Sequence, residues 1–158
     1  MDDPASPPHI HELLEYTEQA IGPAIELEPE ELHAILDFDQ NELKPLRAPP
    51  TSYFILGSYR SPYIYRLRST AHELNKYGAY TVVLGDAKQL ETDRLPNEDI
   101  MFTLIAAYTN FIVAIYEKDS GGETIELGEI DDPPFLEKSF VYARDYHPDP
   151  NPGLELLL

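Results

Sequence analysis

Cysteine is absent from all 158 residues. Disulfides, thiol nucleophiles and cysteine-ligated zinc are therefore excluded, and packing alone must hold the fold. Lysine is scarce, with only Lys44, Lys76, Lys88, Lys118 and Lys138. No apolar run reaches the ~20 residues that span a bilayer, so no membrane partner is expected. The start, Met1-Asp2-Asp3-Pro4, lacks the basic residues and apolar stretch of a secretory signal, and the expected location is the cytoplasm. There is no internal repeat, Walker sequence, Ser-His-Asp order or zinc signature.

Negative charge is what the chain has in excess. Asp and Glu total 29 against 11 Lys and Arg, a net charge of −18. Such self-repulsion costs stability at low ionic strength. In molar salt the screening length falls to ~3 Å and the cost largely disappears. A salt-rich cytoplasm, such as that of halophilic archaea, would account for the bias. The same charge disfavours binding to phosphate backbones, so no nucleic-acid partner is expected. Hydrophobic residues make up 42%, near the globular norm and enough for one domain with a core.

The pattern along the chain divides it into three. Residues 1–50 read as an acidic helical extension, an appendage or a partner-contact element. Residues 9–20 form one amphipathic helix with Ile10, Leu13, Leu14 and Thr17 on one side. Residues 29–36 form a second, with Pro29 at its first position and Glu30 and Glu31 following. Residues 51–145 alternate strands and helices. The strands are Tyr53-Phe54-Ile55-Leu56, Tyr80-Thr81-Val82-Val83-Leu84, residues 111–116 and Phe140-Val141-Tyr142-Ala143. Helices are predicted over 62–77 with Gly78 as the stop, from Asn97 as a cap through Tyr108, and from Gly121-Gly122 to about Ile130. Continuous apolar strands separated by helices predict an α/β fold with a parallel sheet covered on both faces and right-handed crossovers. The order 2-1-3-4 places residues 111–116 in the centre. Residues 146–158 read as a proline-rich irregular tail whose Leu154, Leu156, Leu157 and Leu158 are available to dock or dimerise, so self-association is an open expectation.

Ligands of open parallel sheets bind beyond the carboxyl ends of the strands. Three loops share that edge in this reading. The first, Gly57-Ser58-Tyr59-Arg60-Ser61, sets glycine, hydroxyls, an aromatic ring and a guanidinium at a helix start, a setting that suits a phosphate or ribose. It is not a dinucleotide fingerprint, because Gly57 is its only glycine. The second begins at Gly85-Asp86. The third contains Asp119, Gly121, Gly122, Glu123 and Glu126-Leu127-Gly128. Paired glycines allow a ligand to come close to the backbone. Gly128 inside a helix costs ~1 kcal/mol relative to alanine and asks for an offsetting close contact. Glu123 and Glu126 share a helix face near its start. His9 and His11 with Glu12 are a weaker metal candidate.

Together these residues resemble the nucleoside 2-deoxyribosyltransferase-like superfamily, a Rossmann-type fold related to TIR-like nucleotide hydrolases, over about residues 53–130. The resemblance rests on Phe54-Ile55-Leu56-Gly57-Ser58, and on the apolar strand 111–116 followed by Asp119, Gly122 and Glu126-Leu127-Gly128. It implies a small Rossmann or flavodoxin-like sheet. It further implies Glu126 as the nucleophile on an N-glycosidic bond, with Asp119 as a catalytic substrate contact. Gly57, Ser58, Tyr59, Arg60, Asp86, Gly121, Gly122 and Glu123 would line the binding site for a nucleoside or nucleotide, with no cofactor and no metal. Glu123 is the nearest rival to Glu126. Asp86 is an alternative to Asp119 for the sugar hydroxyls or the leaving base, and Tyr59 or Tyr63 would stack on the base. A non-catalytic nucleotide-binding or signalling module and an interaction protein are the alternative readings.

Overall fold

A computed structural model describes residues 8–48, 50–116, 133–144 and 154–157. Three helices come first: α1 (Pro8–Ile21), α2 (Pro29–Phe38) and, after a π-helical turn at Asp39–Leu43, α3 (Lys44–Arg47). Then follow β1 (Ser52–Leu56), α4 (Ile64–Lys76), β2 (Tyr80–Val83), α5 (Asn97–Tyr108), β3 (Phe111–Tyr116), α6 (Pro133–Leu136), β4 (Ser139–Arg144) and β5 (Leu154–Leu157). The sheet order is β2-β1-β3-β4-β5. The first four strands are parallel, in the predicted order 2-1-3-4, and the fold is α/β. β5 is an addition to that reading. It pairs antiparallel with β4, Val141 opposite Leu157 and Arg144 opposite Leu154, so part of the expected irregular tail is an edge strand.

The short apolar runs become strands because every second residue finds a core on its own side of the sheet. Phe54 and Leu56 of β1 and Ile112 and Ala114 of β3 face one core, while Ile55, Val113 and Ile115 face the other. Ile112 to Ile115 are all buried, as a central strand requires. The register between β1 and β3 is tied at their starts. Ser52 N–H donates to Asn110 Oδ1 at 2.8 Å, and Ser52 Oγ accepts from Asn110 N–H at 3.0 Å.

Helix boundaries follow local chemistry. α2 starts with Pro29 at its first position, and Glu31 Oε1 returns to accept the Glu28 N–H at 2.9 Å. α4 ends where predicted. Gly78 has φ +83, and the N–H groups of Gly78 and Ala79 donate to the carbonyls of Asn75 (3.0 Å) and Leu74 (3.2 Å), a Schellman closure. Its start lies later than predicted, because Ser61–Pro62 belongs to a turn and Tyr63 is the N-cap. Asn97 is not the cap of α5; Pro96 is. The Asn97 amide is turned back to donate to Thr92 O at 2.9 Å, closing the preceding loop.

The N-terminal helices belong to the larger core. Leu13, Ile35, Phe38, Leu43 and Leu46 are buried in one cluster with Ile100, Met101, Leu104 and Ile105 of α5 and with the α5-facing residues of the sheet. The segment read as an appendage therefore supplies the second layer over α5. On the other face, α4 contributes Leu67, Ala71 and Leu74 to the smaller core.

Candidate functional site

The chain leaves β1 for β2 in one direction and leaves β2 for β3 in the other, so the order reverses between β1 and β3. Crevices at such a reversal, outside the carboxyl ends of the strands, are where open α/β sheets bind ligands. The loop after β1 opens at this point with Gly57. A Cβ on Gly57 would lie 2.5 Å from Leu67 Cδ2 and 3.0 Å from the Ile115 carbonyl oxygen, so glycine lets the chain pass between α4 and β3 without displacing either. Ser58 follows and is buried; its Oγ accepts the Arg60 N–H at 3.3 Å, which curls the loop. The Arg60 carbonyl accepts the Ile64 N–H at 2.9 Å and leads into α4. Arg60 itself is exposed.

The loop after β2 meets the first one. The Tyr59 ring lies against Gly85, with Cε1 3.5 Å from where a Cβ would stand. Asp86 pairs with Arg68 of α4 at 3.5 Å, both side chains being exposed. From Ala87 onward this loop is held by the N-terminal layer and α5. Lys88 N–H donates to Glu42 Oε1 at 3.2 Å and Leu90 N–H to Met101 Sδ at 3.3 Å. Arg94 Nη2 donates to Glu31 Oε1 at 2.6 Å. Burial alone would raise the Glu31 pKa. The Glu28 N–H and the Arg94 guanidinium outweigh that and hold the carboxyl below its usual range.

The loop of Gly57, Ser58, Tyr59 and Arg60 and the loop of Gly85 and Asp86 thus follow neighbouring parallel strands and touch through Tyr59 and Gly85. Tyr63 is half-buried at the start of α4. Asp119, Gly121, Gly122, Glu123 and Glu126 lie outside the described residues. Among the described residues no group of three or more His, Asp or Glu is placed to hold a metal ion.

A second polar cluster, not foreseen from the sequence, lies where α1, the π-helical turn, α3 and α5 meet. Asp39 is buried and forms an ion pair with Arg47, and His9 Nε2 stands 3.5 Å from Asp39 Oδ2. His9 Nε2 is buried there without a hydrogen bond among the described residues. The Arg47 guanidinium lies 5.2 Å from the centre of the Tyr108 ring, and Tyr16 meets that ring edge-on at 5.8 Å. Burial, then the charge of Glu12, pushes the Tyr108 phenol pKa upward. No residue type marks a π-helical turn in advance, so the sequence carries no signal that Asp39 and Arg47 meet across one.

Fold and edge define a doubly wound α/β protein whose carboxyl edge is assembled from both covering layers. The chain belongs to a family of unknown function, DUF8170, whose model matches residues 1–155. No curated protein and no solved structure matches it.

Proposed function

We propose that the chain binds a nucleoside or nucleotide at the carboxyl edge between β1 and β3 and cleaves or transfers its N-glycosidic bond. The supporting observation is the packing of Tyr59 against Gly85, which joins the loops after β1 and β2 beside the reversal point. An aromatic ring, the exposed Arg60 and a curled glycine-led backbone suit a base, a phosphate and a ribose in turn.

The chemistry follows from the resemblance at Glu126. Loss of the base leaves positive charge at the anomeric carbon of the sugar. A carboxylate on the opposite side, Glu126, attacks that carbon. The C–N bonding pair leaves with the base, which takes up a proton from Asp119 or from water. Water or a second base then displaces Glu126 and completes hydrolysis or transfer. A second reading, a nucleotide-binding module without catalysis, is favoured by two local bonds: the Ser58 hydroxyl and the Asp86 carboxylate already serve the fold through Arg60 N–H and Arg68.

Incubation in high salt with nucleosides and nucleotides, including NAD, should release free base detectable by chromatography. Glu126→Gln is nearly isosteric and should abolish release by orders of magnitude while leaving the melting temperature in place. Base release that survives this substitution removes Glu126 from the mechanism. Ligand-induced thermal stabilisation without any release selects the binding module. Neither stabilisation nor release from any member of the panel refutes both.

A further inference from the structure

Cations are few in this chain, and the fold uses most of them on its own acceptors. Arg47 holds Asp39, Arg68 holds Asp86, Lys76 holds Glu73 and Arg94 holds Glu31. Lys138 holds two carbonyls at the end of α5. Arg60 is exposed, and its guanidinium has no ion pair among the described residues. Lys44 and Lys88 share that property there. Lys44 belongs to α3 in the N-terminal layer, and Lys88 stands in a cavity with Asp37, Glu42 and Glu91. Arg60 differs from both, because it follows Gly57 and Ser58 at the carboxyl end of β1, beside the reversal of the sheet order. In a chain with 29 carboxylate side chains against 11 Lys and Arg, a guanidinium without a carboxylate at that position stands apart.

The contact between Tyr59 and Gly85 carries their chain neighbours with it. Arg60 follows Tyr59 and Asp86 follows Gly85, so both stand on the stretch of edge where the two loops meet. Asp86 in turn brings Arg68, whose Nη2 lies 3.5 Å from Asp86 Oδ1. That pair is loose. Its side chains are 57% and 56% exposed, and exposed pairs of this kind contribute little. A phosphate competes well for such a guanidinium. It carries up to two negative charges and meets the planar fork with two oxygens at once.

From this arrangement we infer that the edge takes a nucleoside 5′-monophosphate, its phosphate held by Arg60 and Arg68, with Asp86 giving up Arg68 as the phosphate arrives. The inference rests on the nucleoside or nucleotide reading above and narrows it to the phosphorylated class. A net charge of −18 repels any anion at a distance, so a phosphate stays only where cations lie within a screening length of ~8 Å. Two guanidiniums match one phosphate, and a second phosphate would add negative charge with both already engaged. A phosphate on the exocyclic 5′ carbon leaves the ring hydroxyls and the N-glycosidic bond clear. Asp86 is then the rival of the phosphate for Arg68.

Calorimetric titration of the full chain tests this, at the lowest KCl concentration at which circular dichroism shows it folded. The probes are the common ribonucleosides and 2′-deoxynucleosides, each beside its 5′-monophosphate and 5′-diphosphate. The tightest monophosphate should bind at least about tenfold more tightly than its own nucleoside, and the diphosphate no more tightly than the monophosphate. Arg60→Gln and Arg68→Gln should each cut the monophosphate-to-nucleoside ratio at least about threefold. Raising KCl to about 1 M should shrink it as well. Asp86→Asn should raise the ratio, because the rival charge on Arg68 is gone. Lys76→Gln, at the far end of α4 and paired with Glu73, should leave it unchanged. All four side chains are exposed, so each variant keeps the fold, which circular dichroism verifies. A nucleoside that binds as tightly as its monophosphate overturns the inference and leaves the reading beneath it standing. So does a ratio that survives both Arg60→Gln and Arg68→Gln, one that falls as far on Lys76→Gln, or one that falls on Asp86→Asn. A diphosphate that binds more tightly still overturns the assignment to a single phosphate. Binding by no member of the panel refutes the nucleotide reading, and this inference with it.

Discussion

The two faces of the sheet are made by alternate residues of the same strands, yet they are covered to different depths. Phe54, Leu56, Ile112 and Ala114 look towards α5, behind which stand α1, α2 and α3. Ile55, Val113 and Ile115, one residue along each strand, look towards α4 alone among the described helices. The difference shows where the first 50 residues are used: they thicken one layer. It also connects cover to the site. The loop after β1 is seated against Leu67 of α4, and the loop after β2 is bonded to Glu42, Met101 and Glu31 of the opposite layer. Tyr59 on Gly85 is where the two layers meet at the edge.

Truncating one leucine on each side is the strongest way to break this comparison. Leu13 of α1 is fully buried, and Leu13→Ala should cost about 3–5 kcal/mol, the transfer term plus an unfilled cavity. Leu74 of α4 is only partly buried beside an open cavity that relaxes readily, so Leu74→Ala should cost about 1–2 kcal/mol. Urea unfolding monitored by circular dichroism compares the two at low protein concentration. Equal losses would show that the α4 face is as fully packed as the other.

Gly57→Ala comes next in size. Its Cβ would meet Leu67 Cδ2, which can turn aside, and the Ile115 carbonyl, which cannot. The expected cost is about 1–3 kcal/mol of overpacking. Leu67→Ala in the same background should recover only part of it, because the backbone contact remains. A melting temperature unchanged by Gly57→Ala would show that the loop has room to move away from β3.

The sheet was legible in the sequence because each strand is a short apolar run ended by glycine or polar residues, and each helix keeps its own spacing. Leu67, Ala71 and Leu74 fall on the sheet as their periodicity requires. Proline at 29 and glycine at 78 mark ends by backbone geometry that reads directly from residue type. β5 was hidden because four residues after a proline-rich stretch become a strand only through pairing with β4, a tertiary event. The place of α1 and α2 was hidden for a similar reason. An amphipathic helix announces an apolar face but not whether its own chain or a partner covers it. At the edge, glycine and loop position were readable. The engagement of Ser58 by Arg60 and of Asp86 by Arg68 depends on side-chain directions that spacing does not encode.

The smallest effect sharpens the comparison at the far end of the thicker layer, where α5 stops. Lys138, one residue before β4, donates from Nζ to the carbonyls of Thr109 at 2.7 Å and Ala107 at 3.2 Å, closing the last turn of α5. Burial lowers its pKa from 10.5 to about 8. Below about 8 both the folded and unfolded chains carry this proton, and the fold bears the cost of a half-buried cation. Between about 8 and 10.5 the folded chain has released it while the unfolded chain still holds it. The unfolded state then binds more protons, so stability rises with pH across that window. Tyr108 acts in the opposite sense. Its phenol, raised by burial, keeps its proton above pH 10 when the unfolded chain has lost it, so stability falls again beyond that point. Wild-type melting temperature should therefore climb from pH 8 towards 10 and then decline. In Lys138→Met the climb should vanish, and at neutral pH the two bereft carbonyls should cost about 1 kcal/mol net, since removing the buried charge offsets part of the lost bonding. In Tyr108→Phe the climb should remain while the decline weakens. A Lys138→Met protein that still gains stability between pH 8 and 10 would show that another group supplies the rise and that the end of α5 is not closed by a strained cation.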